Sequence, residues 1–199
     1  ETPTNPTLKV IDLARLSKAA KAVGATVVVD NTFATPINTN PLAHGADLVL
    51  HSATKFLGGH ADALGGVVCG GKTLIDRIYN YREINGATLH PMAAYLLLRG
   101  MKTLHLRIRQ QNASAQAIAE YLEAHSAVKA VYYPGLPSNE GHSIAKAQMR
   151  GFGGMLSFSL HGDDFATVRD FLPHLQYAHA AANLGAVETV VGLPSTTSH

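Results

Sequence analysis

Leu13, Leu16, Ala20 and Val23 recur three and four positions apart, the spacing of one helical face, between Asp12, which suits an N-cap, and Gly24, which suits a left-handed exit. The run from Thr26 to Val29 follows. Its VVV lacks polar alternation, which predicts a strand buried on both faces, as in a parallel sheet with helices on either side. DLVL at 47–50 and GGVVC at 65–69 repeat the pattern between turn-rich segments, so the order helix, strand, connection, strand predicts an α/β fold. Pro91 suits the first position of a helix through PMAAYLLLRG, and a longer helix places Ile108, Ala115, Ile118, Ala119 and Leu122 on one face. Beyond it the texture changes. VKAVYYP reads as a short strand, YPGLPSNEG as a loop, and MLSFSL alternates apolar and Ser positions as a half-exposed antiparallel strand does. A domain boundary is expected within the long helix, near residue 105, dividing the chain into 1–104 and 105–199.

Composition narrows the classes. At 199 residues and 46% hydrophobic content the chain can bury a substantial core. Net charge is +2 with both signs interleaved, and the nearest thing to a basic cluster, Arg99, Lys102, Arg107 and Arg109, sits at helical spacing without aromatics. It reads as a solvated helix face, so no nucleic-acid partner is expected. The single cysteine, Cys69, can form no intrachain disulfide and reads as a small buried side chain in a reducing compartment, which makes the cytoplasm the expected location. No apolar run approaches the ~20 residues that span a bilayer, and no leader pattern is present. The chain opens on Glu1 without a methionine and is read as part of a longer polypeptide.

Two of the expected strands end on charge. VVVDNTFATP, residues 27–36, stops at Asp30, and DLVL runs into HSATKFLGGH, residues 51–60, which carries Lys55. In open α/β sheets ligands sit outside the carboxyl ends of the strands. Ser52, Thr54 and the amides around Gly58 and Gly59 suit an anion, with phosphate the natural candidate, because small residues let it approach closely. Lys55 precedes the glycines, so the loop is not a nucleotide P-loop. A lysine beside a phosphate anchor with a carboxylate across the pocket is what pyridoxal phosphate needs: an amine for the Schiff base, and an anion to keep the pyridine nitrogen protonated. Asp30, costly to bury alone, is stabilised beside such a proton. Lys55, once displaced by the substrate amine, stands as the base that moves protons between carbons. Each residue also has a plainer reading, the aspartate as a turn former and the lysine as a solvated charge. The rival reading is a divalent metal held by His51, His60 and Asp62, with Asp30 as a further ligand, in a metal-dependent hydrolase. It leaves Lys55 without a role.

ETPTNPTLKVID, VVVDNTFATP, GADLVLHSATKFLGGHADALGG, YLLLRGMKTLHLRIRQQNASAQAIAEYL, YPGLPS and NLGAVETVVGLPSTTSH occur in this order along the chain. Together they resemble the Cys/Met-metabolism pyridoxal-phosphate enzymes, which include cystathionine γ-synthase, cystathionine γ-lyase and methionine γ-lyase. The resemblance implies an aspartate-aminotransferase-like (fold type I) α/β fold, with a three-layer α/β/α large domain and a smaller C-terminal α/β domain, in homotetramers built as dimers of dimers. It further implies Lys55 as the Schiff-base lysine and Asp30 as the pyridinium partner. Ser52 and Thr54 correspond to phosphate-binding hydroxyls and Asn5 to the partner of the cofactor's phenolic oxygen. Glu1 and Thr32 match positions near the cofactor, and Glu1 is counted with Asn183 on the substrate side. Asn183 stands where many members have a serine that helps hold the substrate carboxylate. Gly192 stands where some γ-lyases have a glutamate near the distal end of cystathionine. The chain matches only the middle and early C-terminal part of the family. The implied activity is that of a C–S lyase acting on a sulfur amino acid by α,γ- or β-elimination, with γ-replacement on an activated homoserine as the nearest alternative.

Overall fold

The computed structural model describes residues 1–162 and 164–194. Helix α1 (Leu13–Ala22) begins where the Asp12 carboxylate accepts a bond from the Arg15 amide at 2.9 Å, and ends ahead of Gly24 at φ +71°. It turns Leu13, Ser17 and Ala20 inward, so Leu13 is buried while Leu16 and Val23 of the expected stripe are exposed. Contact with Val27, Val29 and Ala46 selects this edge of the stripe.

Strand β1 (Val28–Asp30) leads through α2 (Thr35–Asn38) and a 3₁₀ turn (Pro41–His44) to β2 (Leu48–Ser52), which pairs with it in parallel, Asp30 opposite Leu50. Strand β3 (Gly66–Gly70) returns antiparallel to β2, giving the order β1-β2-β3. One sheet face is buried by α1. On the other, Val28 and Leu50 are 49% and 36% exposed, so the expected burial on both faces does not hold among the described residues. Because side chains alternate along a strand and Asp30 is in register with Leu50, Asp30 and Ser52 share this open face with Val28 and Leu50. Cys69, expected to be buried, is exposed on the edge strand β3.

Helices α3 (Lys72–Ile84) and α4 (Pro91–Met101) follow, the latter with proline at its start and His90 capping the Met92 amide. Helix α5 (Leu104–Glu123) joins two cores. Leu104 and Ile108 pack with Phe56, Leu57 and Leu97, while Ala115 and Ala119 pack with Tyr133 and Leu136. Ile118, expected on the buried face, is 46% exposed. The C-terminal part pairs β4 (Val128–Tyr132) antiparallel with β5 (Ser157–Leu160), with α6 (His142–Gln148) between them and α7 (Phe165–Phe171) after them. A short parallel pair, β6 (His179–Ala180) and β7 (Val190–Val191), completes the described elements. Among the described residues no helix is long and apolar enough to cross a membrane.

Candidate active site

Strand β2 runs into a single π-type turn, Ala53–Leu57. Inside it Lys55 has φ −89° and ψ −124°, outside the helical region, so the chain kinks at the lysine. Such turns are frequent at functional sites. Ala53, Phe56 and Leu57 are buried against Leu97, Leu104 and Ile108, which anchors both flanks of the kink. Lys55 itself is half-buried, and its Nζ donates to Asn183 Oδ1 at 2.5 Å.

Asp30 ends β1 at the same level. Its carboxylate accepts the Thr32 amide at 2.9 Å, and the Thr32 hydroxyl accepts the Ser52 amide at 2.8 Å, so the ends of β1 and β2 are tied side by side. Asp30, Ser52 and Lys55 therefore open onto one cavity of about 280 Å³, whose polar wall includes Glu1, Asn5 and Thr32. Phe33 and Leu184 add apolar surface. The Glu1 carboxylate accepts the Asn5 amide at 2.6 Å, which folds the N-terminal segment into that wall.

The cavity thus gathers Lys55, Asp30, Ser52, Asn5 and Glu1, and Asn183 joins them through Lys55. Thr54 is not in the wall. Its hydroxyl accepts the Gly65 amide at 3.1 Å and its own amide donates to the Gly65 carbonyl, so it ties the turn to the segment entering β3. Gly192 is exposed beside β7. The residues of the metal reading are not assembled: among the described residues no group of three or more His, Cys, Asp or Glu is placed to hold a metal ion. His60 Nδ1 lies 2.8 Å from the Gly58 carbonyl, Asp62 is exposed, and His51 is buried. Burial lowers the pKa of His51, the Asp30 charge opposes this more weakly, and its Nδ1 has no partner in the described structure.

Two residues that support Lys55 escaped the sequence reading. Gly185 has φ +83°, and a Cβ there would lie 2.6 Å from the Phe56 nitrogen and 2.9 Å from the Lys55 carbonyl carbon, so only glycine lets this segment rest on the turn. Arg107, expected on a solvated face, instead reaches the backbone of the same turn, with Nη1 2.9 Å from the Phe56 oxygen. Burial depresses its pKa. Gly59 of FLGGH, which lies against Arg107, and Gly100 of LLLRG, which lies against Gly58, are sequence signals of this packing.

The fold and the donor set define a class: an α/β domain with a small-molecule site at the carboxyl ends of its parallel strands. The Lys55 amine, the Asp30 carboxylate and the Ser52 hydroxyl, with Glu1 and Thr32 beside them, face a cavity near the lower end of the ~300–1,000 Å³ range of ligand pockets, which suits an aldehyde cofactor with a basic ring nitrogen. The chain belongs to the Cys/Met metabolism PLP-dependent enzyme family, whose model matches residues 1–199. It is 50% identical over 199 residues to cystathionine gamma-synthase 1, chloroplastic, of Arabidopsis thaliana, covering 100% of this chain and 35% of that protein. It is likewise 50% identical over 200 residues to the cystathionine beta-lyase of Lactococcus lactis subsp. cremoris, covering 100% of this chain and 52% of the relative. The solved cystathionine gamma synthase of Xanthomonas oryzae pv. oryzae, in complex with aminoacrylate and cysteine, matches with a TM-score of 0.96 at 45% identity over 100% of this chain and 51% of its own. The fold is therefore that of the fold type I PLP enzymes. The chain spans about a third to a half of the length of these proteins.

Proposed function

We propose that the protein is a pyridoxal-phosphate-dependent enzyme of sulfur amino-acid metabolism that works as a C–S lyase, by α,γ- or β-elimination. The observation that carries this reading is that Lys55 and Asp30, from the ends of adjacent parallel strands, wall one cavity. Bound there, the cofactor supplies an electron sink for the pair released when a bond to the substrate's α-carbon breaks. Lys55 Nζ is its covalent anchor and, with substrate present, the base that takes the α-proton and carries protons along the substrate chain. Asp30 holds the ring nitrogen's proton in place. Ser52 would hold the phosphate, with Thr54 shaping the same loop, and Asn5 would supply a polar partner to the ring's oxygen. Asn183 orients Nζ and offers its amide to the substrate carboxylate, beside Glu1.

Replacement at the γ-carbon is a second reading, supported by the 50% identity to a gamma-synthase. Elimination and replacement at the γ-carbon begin with the same proton transfers at the same lysine. The Xanthomonas synthase was solved with aminoacrylate and cysteine, and aminoacrylate is the species left when β-elimination removes hydrogen sulfide from cysteine, which supports elimination chemistry on this scaffold. Substrate feeding of the intact protein decides. Release of 2-oxobutanoate from methionine or cystathionine, or of pyruvate from cystathionine, is the expected result, product formed only from O-acyl-homoserine plus a thiol moves the assignment to replacement, and none of these overturns both. A homo-oligomer built as a dimer of dimers, a cytoplasmic location, and a division into large-domain residues 1–104 and small-domain residues 105–199 belong to the same proposal.

A further inference from the structure

The turn that carries Lys55 ends on carbonyls that its own backbone cannot satisfy. Arg107, on the first turn of α5, supplies the donors. Nη1 donates to the Phe56 oxygen at 2.9 Å, and Nη2 donates to the Gly100 oxygen at 2.9 Å and the Leu57 oxygen at 3.4 Å. Nε donates to the Thr103 hydroxyl at 3.1 Å, and that hydroxyl donates to the Gly100 oxygen at 3.2 Å. One guanidinium thus joins the end of the Lys55 turn to the end of α4 and the start of α5. A cation is favourable there, because the carbonyls at helix ends carry partial negative charge.

Packing fixes the partners at contact distance. A Cβ at Gly100 would lie 2.0 Å from the Gly58 oxygen, and one at Gly59, which has φ +74°, would lie 2.0 Å from Arg107 Nη1. Gly185 presses on the same turn from the Asn183 side. The kinked backbone at Lys55 is therefore gripped between α5 and the segment that holds its amine. A lysine at 107 would keep the charge but not the planar fork that meets three carbonyls at once.

We propose that Arg107 is a positioning residue: by clamping the Phe56 and Leu57 carbonyls to the α4–α5 joint it fixes where Lys55 Nζ stands in the cavity. The proposal rests on the reading of Lys55 as the covalent anchor, and its test separates the two. In the intact protein, Arg107→Gln, Arg107→Lys and Gly100→Ala are compared with wild type by amide hydrogen exchange and by pH titration of the bound cofactor's visible absorbance. The Gly58 and Gly59 amides, which bond to Ala53 and Lys55 oxygens at 2.8 Å, report the turn directly. Exchange at these two amides is expected to rise at least about tenfold in Arg107→Gln, the scale of losing hydrogen bonds to a charged group, with α1 and β1 unchanged. Arg107→Lys is expected to fall between, and Gly100→Ala to act in the same direction while leaving the arginine in place. The absorbance titration is expected to shift its midpoint in the same order, which a purely global loss of stability does not produce. Wild-type exchange at Gly58 and Gly59 in Arg107→Lys and Gly100→Ala, with an unshifted titration, overturns the clamp. Absence of cofactor on Lys55 in wild type overturns the anchor reading instead, and exchange still decides the clamp.

Discussion

Lys55 is aimed by one kink and one amide, so single substitutions around it have separable outcomes. Lys55→Ala is expected to abolish covalent capture of the cofactor, read as loss of the borohydride-stable adduct. Asp30→Asn is expected to keep cofactor bound while lowering turnover at least about 100-fold, within the range that positioned proton-holding groups contribute. Tyr133 gives a pH test away from the site. Its hydroxyl donates to the Gly153 carbonyl at 3.0 Å, and burial raises the phenol well above its ordinary 10.0. Below pH 10 both folded and unfolded chains keep this proton. Above it the unfolded chain ionises first, so stability falls as pH rises. Tyr133→Phe is expected to cost about 1 kcal/mol at pH 7 and to lose less stability above pH 10, measured by urea unfolding. At this scale the gathering of Lys55, Asp30, Ser52, Asn5 and Glu1 around one cavity was legible, because strand ends and a named family pattern mark them. Arg107 and Gly185 were not, since their partners on the Lys55 turn are backbone atoms, which leave no residue identity to read.

Among the elements, α1 and α5 carry the clearest tests. Asp12→Ala removes the N-cap bond to Arg15 and is expected to cost about 1 kcal/mol of stability with activity unchanged. Ile108→Ala empties a buried position behind the Lys55 turn and is expected to cost about 2–5 kcal/mol, measured by denaturant midpoint. The helices around Leu13, Pro91 and Ile108 and the strands expected at 26–29 and 47–50 followed from periodicity and caps, although the strands run on to Asp30 and Ser52. The direction of β3 did not, because a short apolar strand reads the same whether its neighbour is parallel or antiparallel. The inward rotation of α1 was also hidden, since Leu16 matches the apolar spacing while Ser17 takes the buried place.

Across the whole molecule, α5 links the two cores, and its side chains reach both halves of the site, Arg107 to the Lys55 turn and Gln111 to the Ala186 carbonyl at 3.2 Å. The sheet face bearing Asp30 and Ser52 stays open at Val28 and Leu50, and the chain spans a third to a half of its relatives' length. The most direct measurement is borohydride reduction of the intact, cofactor-loaded protein, followed by digestion and peptide mass spectrometry. A pyridoxyl group on the peptide containing Lys55 is the expected result. A pyridoxyl group on a different lysine, or a loaded protein that yields none, contradicts it.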